Sequence, residues 1–160
     1  MQTAFLLTGS NLGDRLSNLK QAVLHLKVHT AIKVDHISRV YETAAWGKTD
    51  QEAFHNQALE IRTSLTAREL LDLVLDIEQR IGRERKERWG PRIIDIDIIF
   101  FGEQVIDKKG LEVPHPRLQD RRFVLVPLAE LAPDLQHPVL KKTVKELLAN
   151  CEDQLAVIPL

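Results

Sequence analysis

An α+β fold is predicted by three features of the 160-residue chain. Strand-like and helix-like segments follow one another in the order β-α-β-β-α-β. Each of the two helical segments has one apolar stripe, which predicts packing against one face of a sheet. The last strand-like segment is apolar on both sides, and further helical segments follow it. These features predict a ferredoxin-like βαββαβ core, with a central, mostly antiparallel sheet and helices on both faces. We expect a single domain over residues 1–160.

The first strand and helix are predicted within residues 3–28. An apolar strand over residues 3–8 ends at GSNLGD, a sequence rich in turn-forming residues. A helix is predicted over residues 14–28, because apolar residues recur there at helical spacing and form one face. These residues are Leu16, Leu19, Val23 and Leu26.

Two strands, predicted over residues 33–42 and 56–62, flank a long polar loop with the sequence TAAWGKTDQEAF. Loops of this length within small domains are commonly functional or disordered. The helix that follows is predicted to begin at Thr66, which can form a capping box with Glu69, and to end before Gly82. Its buried stripe is predicted to consist of Leu70, Leu73, Val74, Ile77 and Ile81.

The last core strand, predicted over residues 93–101, carries Asp95 and Asp97 two positions apart. Alternate residues of a strand point to the same face, so the two carboxylates are expected about 7 Å apart along the chain. The opposite face is expected to be wholly apolar. It is predicted to consist of Ile94, Ile96, Ile98 and Phe100. Because apolar residues also flank the aspartates, we expect this strand to be buried on both sides.

Two carboxylates in a buried strand repel one another unless one is protonated or a cation neutralises them. Oxygen ligands of this kind suit Mg²⁺, which commonly binds one or two carboxylates together with substrate phosphates. The alternative interpretation is a sheet with one solvated face, although aspartate disfavours strands even there. The pattern favours a metal site at Asp95 and Asp97.

A basic segment directly precedes the aspartate strand. Residues 80–92, RIGRERKERWGPR, contain only Glu84 and Glu87 as acidic residues. Arginine binds phosphate oxygens through its planar fork, and arginines beside a carboxylate-bound metal are typical of phosphoryl-transfer sites. The alternative interpretation of this segment is a solvated charged loop. The alternative functions of the protein are another two-metal phosphoryl or nucleotidyl transferase and a non-catalytic nucleotide-binding domain. The P-loop motif G-x-x-x-x-G-K-[ST] does not occur in the sequence.

The C-terminal part is predicted to add a short edge strand at residues 105–106 and two helices. The sequence VPHPR interrupts regular structure because it contains two prolines. One helix is predicted over residues 121–132 despite Pro127. The other is predicted to begin at a capping box formed by Thr143 and Glu146.

The composition is that of an ordinary globular domain, with 44% apolar residues, 28% charged residues and a net charge of −1. Nucleic-acid-binding proteins normally carry excess positive charge, and membrane helices need ~20 apolar residues, so neither partner is expected. The first residues lack the features of a signal peptide. With Cys151 as the single cysteine, the chain is expected in the cytoplasm. We also expect a monomer.

Two segments of the chain resemble a known family. The sequence RWGPRIIDID at 88–97, followed by PHPRLQDRRFVLVPL at 114–128, resembles the 6-hydroxymethyl-7,8-dihydropterin pyrophosphokinases of folate biosynthesis. GSNLGD, YET and IEQRIGR match in the same order, so the resemblance covers nearly the whole chain. It implies an enzyme that transfers the β,γ-pyrophosphate of ATP to the hydroxymethyl group of 6-hydroxymethyl-7,8-dihydropterin and releases AMP.

The resemblance also implies which residues form the site, with two Mg²⁺ ions expected at Asp95 and Asp97. Catalytic roles are implied for Arg83, Arg92, Asp95 and Asp97. ATP-binding roles are implied for Glu78, Arg83, Arg85, Arg88, Arg92, Ile98, His115 and Arg121. Pterin-binding roles are implied for Thr43, Ala44, Trp46, Phe54, Asn56, Trp89, Asp95 and Phe123. In this arrangement Phe54 and Phe123 stack on the two faces of the pterin ring.

The sequence departs from the family pattern in its long polar loop. Ala44 and Ala45 stand where family members often have proline, and Glu52, Ala53 and His55 are further departures. Without proline the loop is expected to be less preorganised. The aspartates are unaffected.

Overall fold

The computed structural model describes residues 1–44, 52–82 and 93–160. The strands within these residues are β1 (Gln2–Ser10), β2 (Ile32–Ile37), β3 (Tyr41–Thr43), β4 (Phe54–Thr63), β5 (Asp95–Phe101), β6 (Ile106–Lys108), β7 (Leu111–Val113) and β8 (Val157–Pro159). The helices are α1 (Arg15–Lys27), α2 (Ala67–Ile81), α3 (Arg122–Leu131) and α4 (Val144–Ala149), with a 3₁₀ turn at Leu118–Asp120.

The main sheet has the strand order β5-β1-β4-β3-β8, and β2 pairs with β4 next to β3. All of these pairings are antiparallel. The order of β5, β1, β4 and the β2/β3 pair is that of a ferredoxin-like sheet, so the predicted fold class is confirmed. Within the three described ranges, no helix is long and apolar enough to cross a membrane.

Helices cover both faces of the main sheet, as predicted. The core under α1 and α2 includes Leu6, Leu19, Leu26, Leu59, Ile61, Leu70, Val74, Ile77, Ile96 and Ile98. The core under α3 and α4 includes Phe5, Leu7, Ile99, Phe100, Val124, Leu125, Leu128 and Leu147. Asp97 pairs with Leu7 across β5 and β1, and Asp95 lies two residues away on the same side of β5. We call the sheet face covered by α3 and α4 the aspartate face.

Both predicted capping boxes are confirmed. The Thr66 hydroxyl accepts a hydrogen bond from the Glu69 N–H, and the Glu69 carboxylate accepts one from the Thr66 N–H. Thr143 and Glu146 form the same reciprocal pair at the start of α4. α2 ends at Gly82, whose φ of 105° is the left-handed conformation that glycine adopts without steric strain.

The stripe predicted for α1 is correct at Leu19, Val23 and Leu26, which are buried. It is wrong at Leu16, which is 45% exposed. Leu16 lies in the first turn of α1, before the first buried residues of the helix, Asn18 and Leu19. A repeat of apolar residues therefore predicts the buried face of the helix better than it predicts where that face begins.

The single strand predicted over residues 33–42 is two strands, β2 and β3. Ser38 lies between them and is held by β4. Its hydroxyl oxygen accepts a hydrogen bond from the Ala58 N–H at 2.9 Å, and its carbonyl oxygen accepts one from the Gln57 side chain at 2.8 Å. Because both donors belong to another strand, the sequence of this segment alone does not predict the break.

β5 contains one extra residue, Ile99, in its pairing with β1. Leu6 pairs with Ile98, whereas Phe5 pairs with Phe100. A bulge of this kind moves the following side chains to the other face of the sheet. Phe100 therefore lies on the aspartate face, and the prediction that it shares a face with Ile98 is wrong.

Burial along β5 also differs from the prediction. The strand begins at Asp95 rather than at Ile93, and its C-terminal half is buried on both faces. Asp95 is half-buried and Asp97 is exposed. The expectation of a strand buried on both sides is therefore wrong for its first half, because α3 and α4 cover the aspartate face only beyond the carboxylates.

The C-terminal part adds two features to the sheet. The short strand predicted at 105–106 begins at Ile106 and pairs with β7 in a separate hairpin instead of joining the main sheet. α3 forms as predicted with Pro127 inside it. β8 was not predicted, and it pairs with β3 so that Val157 lies opposite Thr43.

Candidate active site

The register of the main sheet brings predicted site residues from three strands to one face. Gly9 of β1 pairs with Asn56 of β4 on one side and with Asp95 of β5 on the other. Thr43 of β3 pairs with Phe54, which lies two positions before Asn56 in β4. Because paired residues and alternate residues of a sheet share a face, all of these side chains lie on the aspartate face. They lie at the same end of the sheet, which is our candidate active site.

The two carboxylates at the start of β5 fit a magnesium site. Burial lowers the pKa of the Arg121 guanidinium, and the nearby Asp97 carboxylate opposes this shift. Among the residues that the structure describes, no group of three His, Cys, Asp or Glu side chains could hold a metal ion. Mg²⁺ commonly uses one or two carboxylates and takes its other ligands from substrate phosphates and water. Asp95 and Asp97 supply hard oxygen ligands on one face, which suits Mg²⁺ bound together with a phosphate chain.

Two buried side chains at the site each have a polar atom with no hydrogen-bond partner among the described residues. These atoms are Thr43 Oγ1 and Asn56 Oδ1. The other end of the Asn56 amide is fixed, because Nδ2 donates to the Thr8 carbonyl oxygen at 3.2 Å. A buried polar atom without a partner costs roughly 1–3 kcal/mol, so its presence calls for an explanation such as a ligand. The two atoms suit a ligand with a flat, polar edge.

Two aromatic residues predicted to bind the pterin are partly accessible to solvent. Phe54 begins β4, and Phe123 lies in the first turn of α3; both are half-buried. The Arg121 guanidinium carbon lies 5.8 Å from the centroid of the Phe123 ring, which is a cation–π distance. Ala44, which follows β3, is exposed. Half-buried aromatic faces beside polar groups can stack on a heteroaromatic ring.

His115 is held next to β5 in a defined protonation state. Its backbone N–H donates to the Ile99 carbonyl oxygen at 2.9 Å, and its Nδ1 accepts a hydrogen bond from the Arg117 N–H at 3.2 Å. Burial, with a contribution from the charge of Arg121, lowers the pKa of His115 to about 4. The imidazole is therefore neutral at neutral pH, and its proton is on Nε2. His115 can donate that proton in a hydrogen bond to an anionic ligand without carrying a charge.

Two residues predicted to bind ATP have their side chains on the opposite face. Glu78 of α2 is buried, and its Oε2 accepts a hydrogen bond from the Ile96 N–H at 2.7 Å. The Ile98 side chain belongs to the core under α1 and α2. Glu78 thus supports the backbone of β5, and Ile98 can reach the aspartate face only through its backbone. Their contacts with ATP stay predictions.

The remaining predicted site residues lie outside the described residues. They are Trp46, Arg83, Arg85, Arg88, Trp89 and Arg92. The roles predicted for them in binding and catalysis stay predictions, and the geometry given above does not depend on them.

A polar contact that ties β3 to α3 was missed by the sequence analysis. The Tyr41 hydroxyl donates to Glu130 Oε1 at 2.6 Å, and the Arg39 N–H donates to the same carboxylate. Burial and the hydrogen bond to this carboxylate raise the pKa of Tyr41 to about 12, so the phenol stays a donor. Tyr41 and Glu130 are separated by 89 positions. No local pattern could have signalled the pair.

Comparison with known proteins identifies the family. Residues 5–133 match the family described as 7,8-dihydro-6-hydroxymethylpterin-pyrophosphokinase (HPPK). Similar curated proteins are named 2-amino-4-hydroxy-6-hydroxymethyldihydropteridine pyrophosphokinase. The one from Methylorubrum extorquens is 47% identical over 153 residues, which are 95% of this chain and 95% of that protein. The one from Aquifex aeolicus is 42% identical over 146 residues, or 91% and 90% of the two chains. The Bacillus subtilis protein is 47% identical over 133 residues, or 83% and 80%.

Solved structures share the fold at low sequence identity. A crystal structure of Plasmodium falciparum HPPK-DHPS with pterin and p-hydroxybenzoate matches with a TM-score of 0.74 at 17% identity, over 92% of this chain and 43% of that chain. The wild-type protein gives a TM-score of 0.72 at 17% identity, over 92% and 40%. This chain therefore spans less than half of those chains. The family match and the curated relatives confirm the resemblance found in the sequence, and the chain belongs to the 7,8-dihydro-6-hydroxymethylpterin-pyrophosphokinase family.

Proposed function

We propose that this chain transfers the β,γ-pyrophosphate of ATP to the hydroxymethyl group of 6-hydroxymethyl-7,8-dihydropterin in folate biosynthesis, giving AMP and the pterin diphosphate. Relatives that are 42–47% identical over most of their length carry the name of this activity. The single observation that carries the proposal to this chain is the sheet register, which places Asp95 on the same face as Asn56 and Thr43.

The pterin is assigned to the β3–β4 side of the site. Thr43 Oγ1 and Asn56 Oδ1 are buried acceptors that match a pterin edge bearing amino and ring N–H donors. Phe54 and Phe123 supply aromatic faces for stacking on the two sides of the ring. Ala44 lies next to Thr43 and offers backbone groups to the same edge. Trp46 and Trp89, outside the described residues, are proposed to complete this pocket.

The triphosphate is assigned to the β5–α3 side of the site. Asp95 and Asp97 would hold Mg²⁺, for which the family predicts two ions, and the metal would neutralise phosphate charge that develops during transfer. His115 and Arg121 would bind the nucleotide as a neutral donor and a cation, respectively. Arg83, Arg85, Arg88 and Arg92 are proposed to contact the phosphates as well. Glu78 and Ile98 would act through the backbone of β5.

The reaction is an in-line displacement at the β-phosphorus of ATP. The hydroxymethyl oxygen of the pterin forms a bond to this phosphorus, and the bond from the phosphorus to the oxygen that bridges it to the α-phosphate breaks. AMP leaves with that bridging oxygen and its electron pair, and the hydroxyl proton passes to solvent. A loose transition state places little demand on a dedicated base. The work of the protein is therefore to position two substrates on one sheet face and to balance charge.

A coupled assay with Mg²⁺, ATP and 6-hydroxymethyl-7,8-dihydropterin tests this function. The expected products are AMP and the pterin diphosphate in equal amounts. Release of ADP, or release of AMP that does not depend on the pterin, would argue for another phosphoryl or nucleotidyl transferase. The monomeric state and the cytoplasmic location stay predictions, and size-exclusion chromatography with light scattering tests the first.

A further inference from the structure

A polar cluster lies directly behind the proposed pterin pocket, on the sheet face covered by α1 and α2. His55 of β4 pairs with Glu42 of β3 and with Ser10 of β1, so these side chains share that face. The His55 ring is buried, and its Nε2 lies 3.1 Å from Glu42 Oε1. Along the two strands, each of these residues is adjacent to a residue of the pocket: Glu42 precedes Thr43, and His55 lies between Phe54 and Asn56.

Arg15, in the first turn of α1, joins this cluster to the chain before β4. Its Nη1 donates a hydrogen bond to the Ala53 carbonyl oxygen at 2.8 Å. The same nitrogen lies 3.6 Å from the Glu52 carboxylate and 3.9 Å from the Glu42 carboxylate. A single guanidinium group therefore contacts the end of β3 and the residues that lead into β4.

A second contact reinforces this connection. The Asn11 side chain, from the turn between β1 and α1, donates to the Glu52 carbonyl oxygen at 3.2 Å. The α1 end of the molecule thus holds the backbone of Glu52 and Ala53 from two points. These residues come immediately before Phe54, whose ring is proposed to stack on the pterin.

The hydrogen bond to the Ala53 carbonyl is the strongest of these contacts. Ion pairs at exposed positions contribute little, and the Glu52 side chain is 72% exposed. A charge-assisted hydrogen bond to a backbone carbonyl is stronger, and only 23% of the Arg15 side chain is exposed. The contact fixes the backbone immediately before Phe54. Arg15 makes it from the sheet face opposite the proposed pterin pocket.

We propose that Arg15 is a positioning residue for the pterin, which sets the placement of Thr43, Phe54 and Asn56 without touching the substrate. This inference rests on the proposed function. Arg15 holds the ends of β3 and β4 at the point where the pocket residues lie. Its hydrogen bond and ion pairs within the described residues are with Ala53, Glu42 and Glu52, all on the β3–β4 side of the site. Loss of Arg15 should therefore weaken pterin binding and leave the nucleotide side unaffected.

Steady-state kinetics of Arg15→Met and Arg15→Lys test this role. In Arg15→Met the KM for the pterin should rise roughly tenfold, because small displacements of positioning groups have effects of that order or larger. The KM for ATP should stay within about twofold of the wild-type value, in line with the placement of Arg15. Arg15→Lys should recover most of the loss, because Nζ can replace the single nitrogen that makes all three contacts.

Arg62→Met is the matched control. Arg62 lies on the same strand, β4, six residues beyond Asn56, and its Nε forms a shorter ion pair with Asp35 at 2.7 Å. Its loss should lower the melting temperature without changing either KM.

Three results would overturn the inference: an unchanged pterin KM in Arg15→Met, equal rises of both KM values, or the same pterin effect in Arg62→Met. If the wild-type protein itself releases no AMP with the pterin, the proposed function fails, and this inference fails with it.

Discussion

The side-chain amide of Asn56 lies directly over Gly9 in the neighbouring strand. A Cβ atom built on Gly9 would lie 2.6 Å from Asn56 Nδ2 and 3.8 Å from the Phe54 ring. The first distance is shorter than real side chains tolerate. Glycine at this position therefore makes room for the residue that presents its free amide oxygen to the candidate active site.

Gly9→Ala should displace Asn56 and weaken pterin recognition. The new methyl group must push the amide away from the Thr8 carbonyl, so we expect the KM for the pterin to rise roughly tenfold. Gly110→Ala is a suitable control, because no atom lies within 4 Å of its added Cβ and its φ of 77° strains the backbone far from the site. The control should lose stability and keep its pterin KM. Equal KM values in the two variants would contradict the role given to Gly9.

Asp95→Asn and Asp97→Asn should each lower kcat by about a hundredfold to a thousandfold, because each removes charge that stabilises the transition state. The fold should remain intact, since Asp97 is exposed and Asp95 is half-buried. The unfolding free energy should change by no more than about 1 kcal/mol, because the substitutions remove the repulsion between the two carboxylates but also, at Asp97, the attraction to Arg121. Circular dichroism, urea unfolding and AMP release measure these three properties. Rates like those of the wild type in both variants would remove the metal-site proposal.

Magnesium and nucleotide should bind cooperatively. Two carboxylates alone form an incomplete ligand set for Mg²⁺, and phosphate oxygens are needed to complete it. We therefore expect millimolar Mg²⁺ alone to change the melting temperature little, whereas Mg²⁺ with a nonhydrolysable ATP analogue raises it clearly. Differential scanning fluorimetry of the wild type and of Asp97→Asn makes the comparison. A large shift with Mg²⁺ alone would indicate a complete protein-built metal site instead.

Acid should destabilise the protein through His115. Its pKa is lowered from the ordinary 6.5 to about 4, mainly by burial. Between these values the unfolded state binds more protons than the folded state, so the stabilisation is complete above pH 6.5 and is lost as pH falls toward 4. The contribution is up to roughly 3 kcal/mol. Burial also lowers the pKa of His137, which acts in the same direction.

Urea unfolding at several pH values between neutral and mildly acidic checks this expectation. In His115→Gln the unfolding free energy should fall less steeply as the pH is lowered, and the remaining slope should reflect other groups such as His137. An unchanged slope would mean that His115 is not kept neutral by its surroundings.

Tyr41→Phe should lower the free energy of unfolding by about 1–2 kcal/mol, because it removes a hydrogen bond to a charged group. In this variant the Glu130 carboxylate still accepts a hydrogen bond from the Arg39 N–H and is exposed to water, so it is not left without a partner. The raised pKa of Tyr41 predicts a second effect: the stabilisation is present below pH 10 and is lost as pH rises toward about 12. Between pH 10 and 12 the unfolding free energy of the wild type should therefore fall more steeply with pH than that of a variant whose Glu130 is replaced by Gln, because the variant lacks the carboxylate that raises the Tyr41 pKa. Identical alkaline transitions would contradict the proposed coupling.

Features set by local sequence were predicted well. Capping boxes depend on residues three positions apart, and both Thr66–Glu69 and Thr143–Glu146 form as expected. The spacing of Asp95 and Asp97 likewise places them on one face without reference to the rest of the chain. The family resemblance came from the segments RWGPRIIDID and PHPRLQDRRFVLVPL, with shorter motifs that match in the same order along the chain.

Features set by pairing between distant strands could not be predicted in this way. The bulge at Ile99 exists only in the pairing of β5 with β1, and the break at Ser38 depends on side chains and backbone of β4. The unpartnered atoms of Thr43 and Asn56 become visible only when three strands are aligned. Sequence identifies which residues have the right chemistry, and the register decides which of them meet.

The extra residue in β5 has a mechanical consequence for the site. Because of Ile99, the large side chain of Phe100 lies on the aspartate face, where it packs edge-to-face against Phe5 and His137. The strand that presents the carboxylates is thus anchored on their own side, in the layer beneath α3 and α4. A cavity made in that layer should tilt the carboxylates and impair turnover. A cavity of equal size beneath α1 and α2 should lower the free energy of unfolding. The molecules that remain folded should keep their activity.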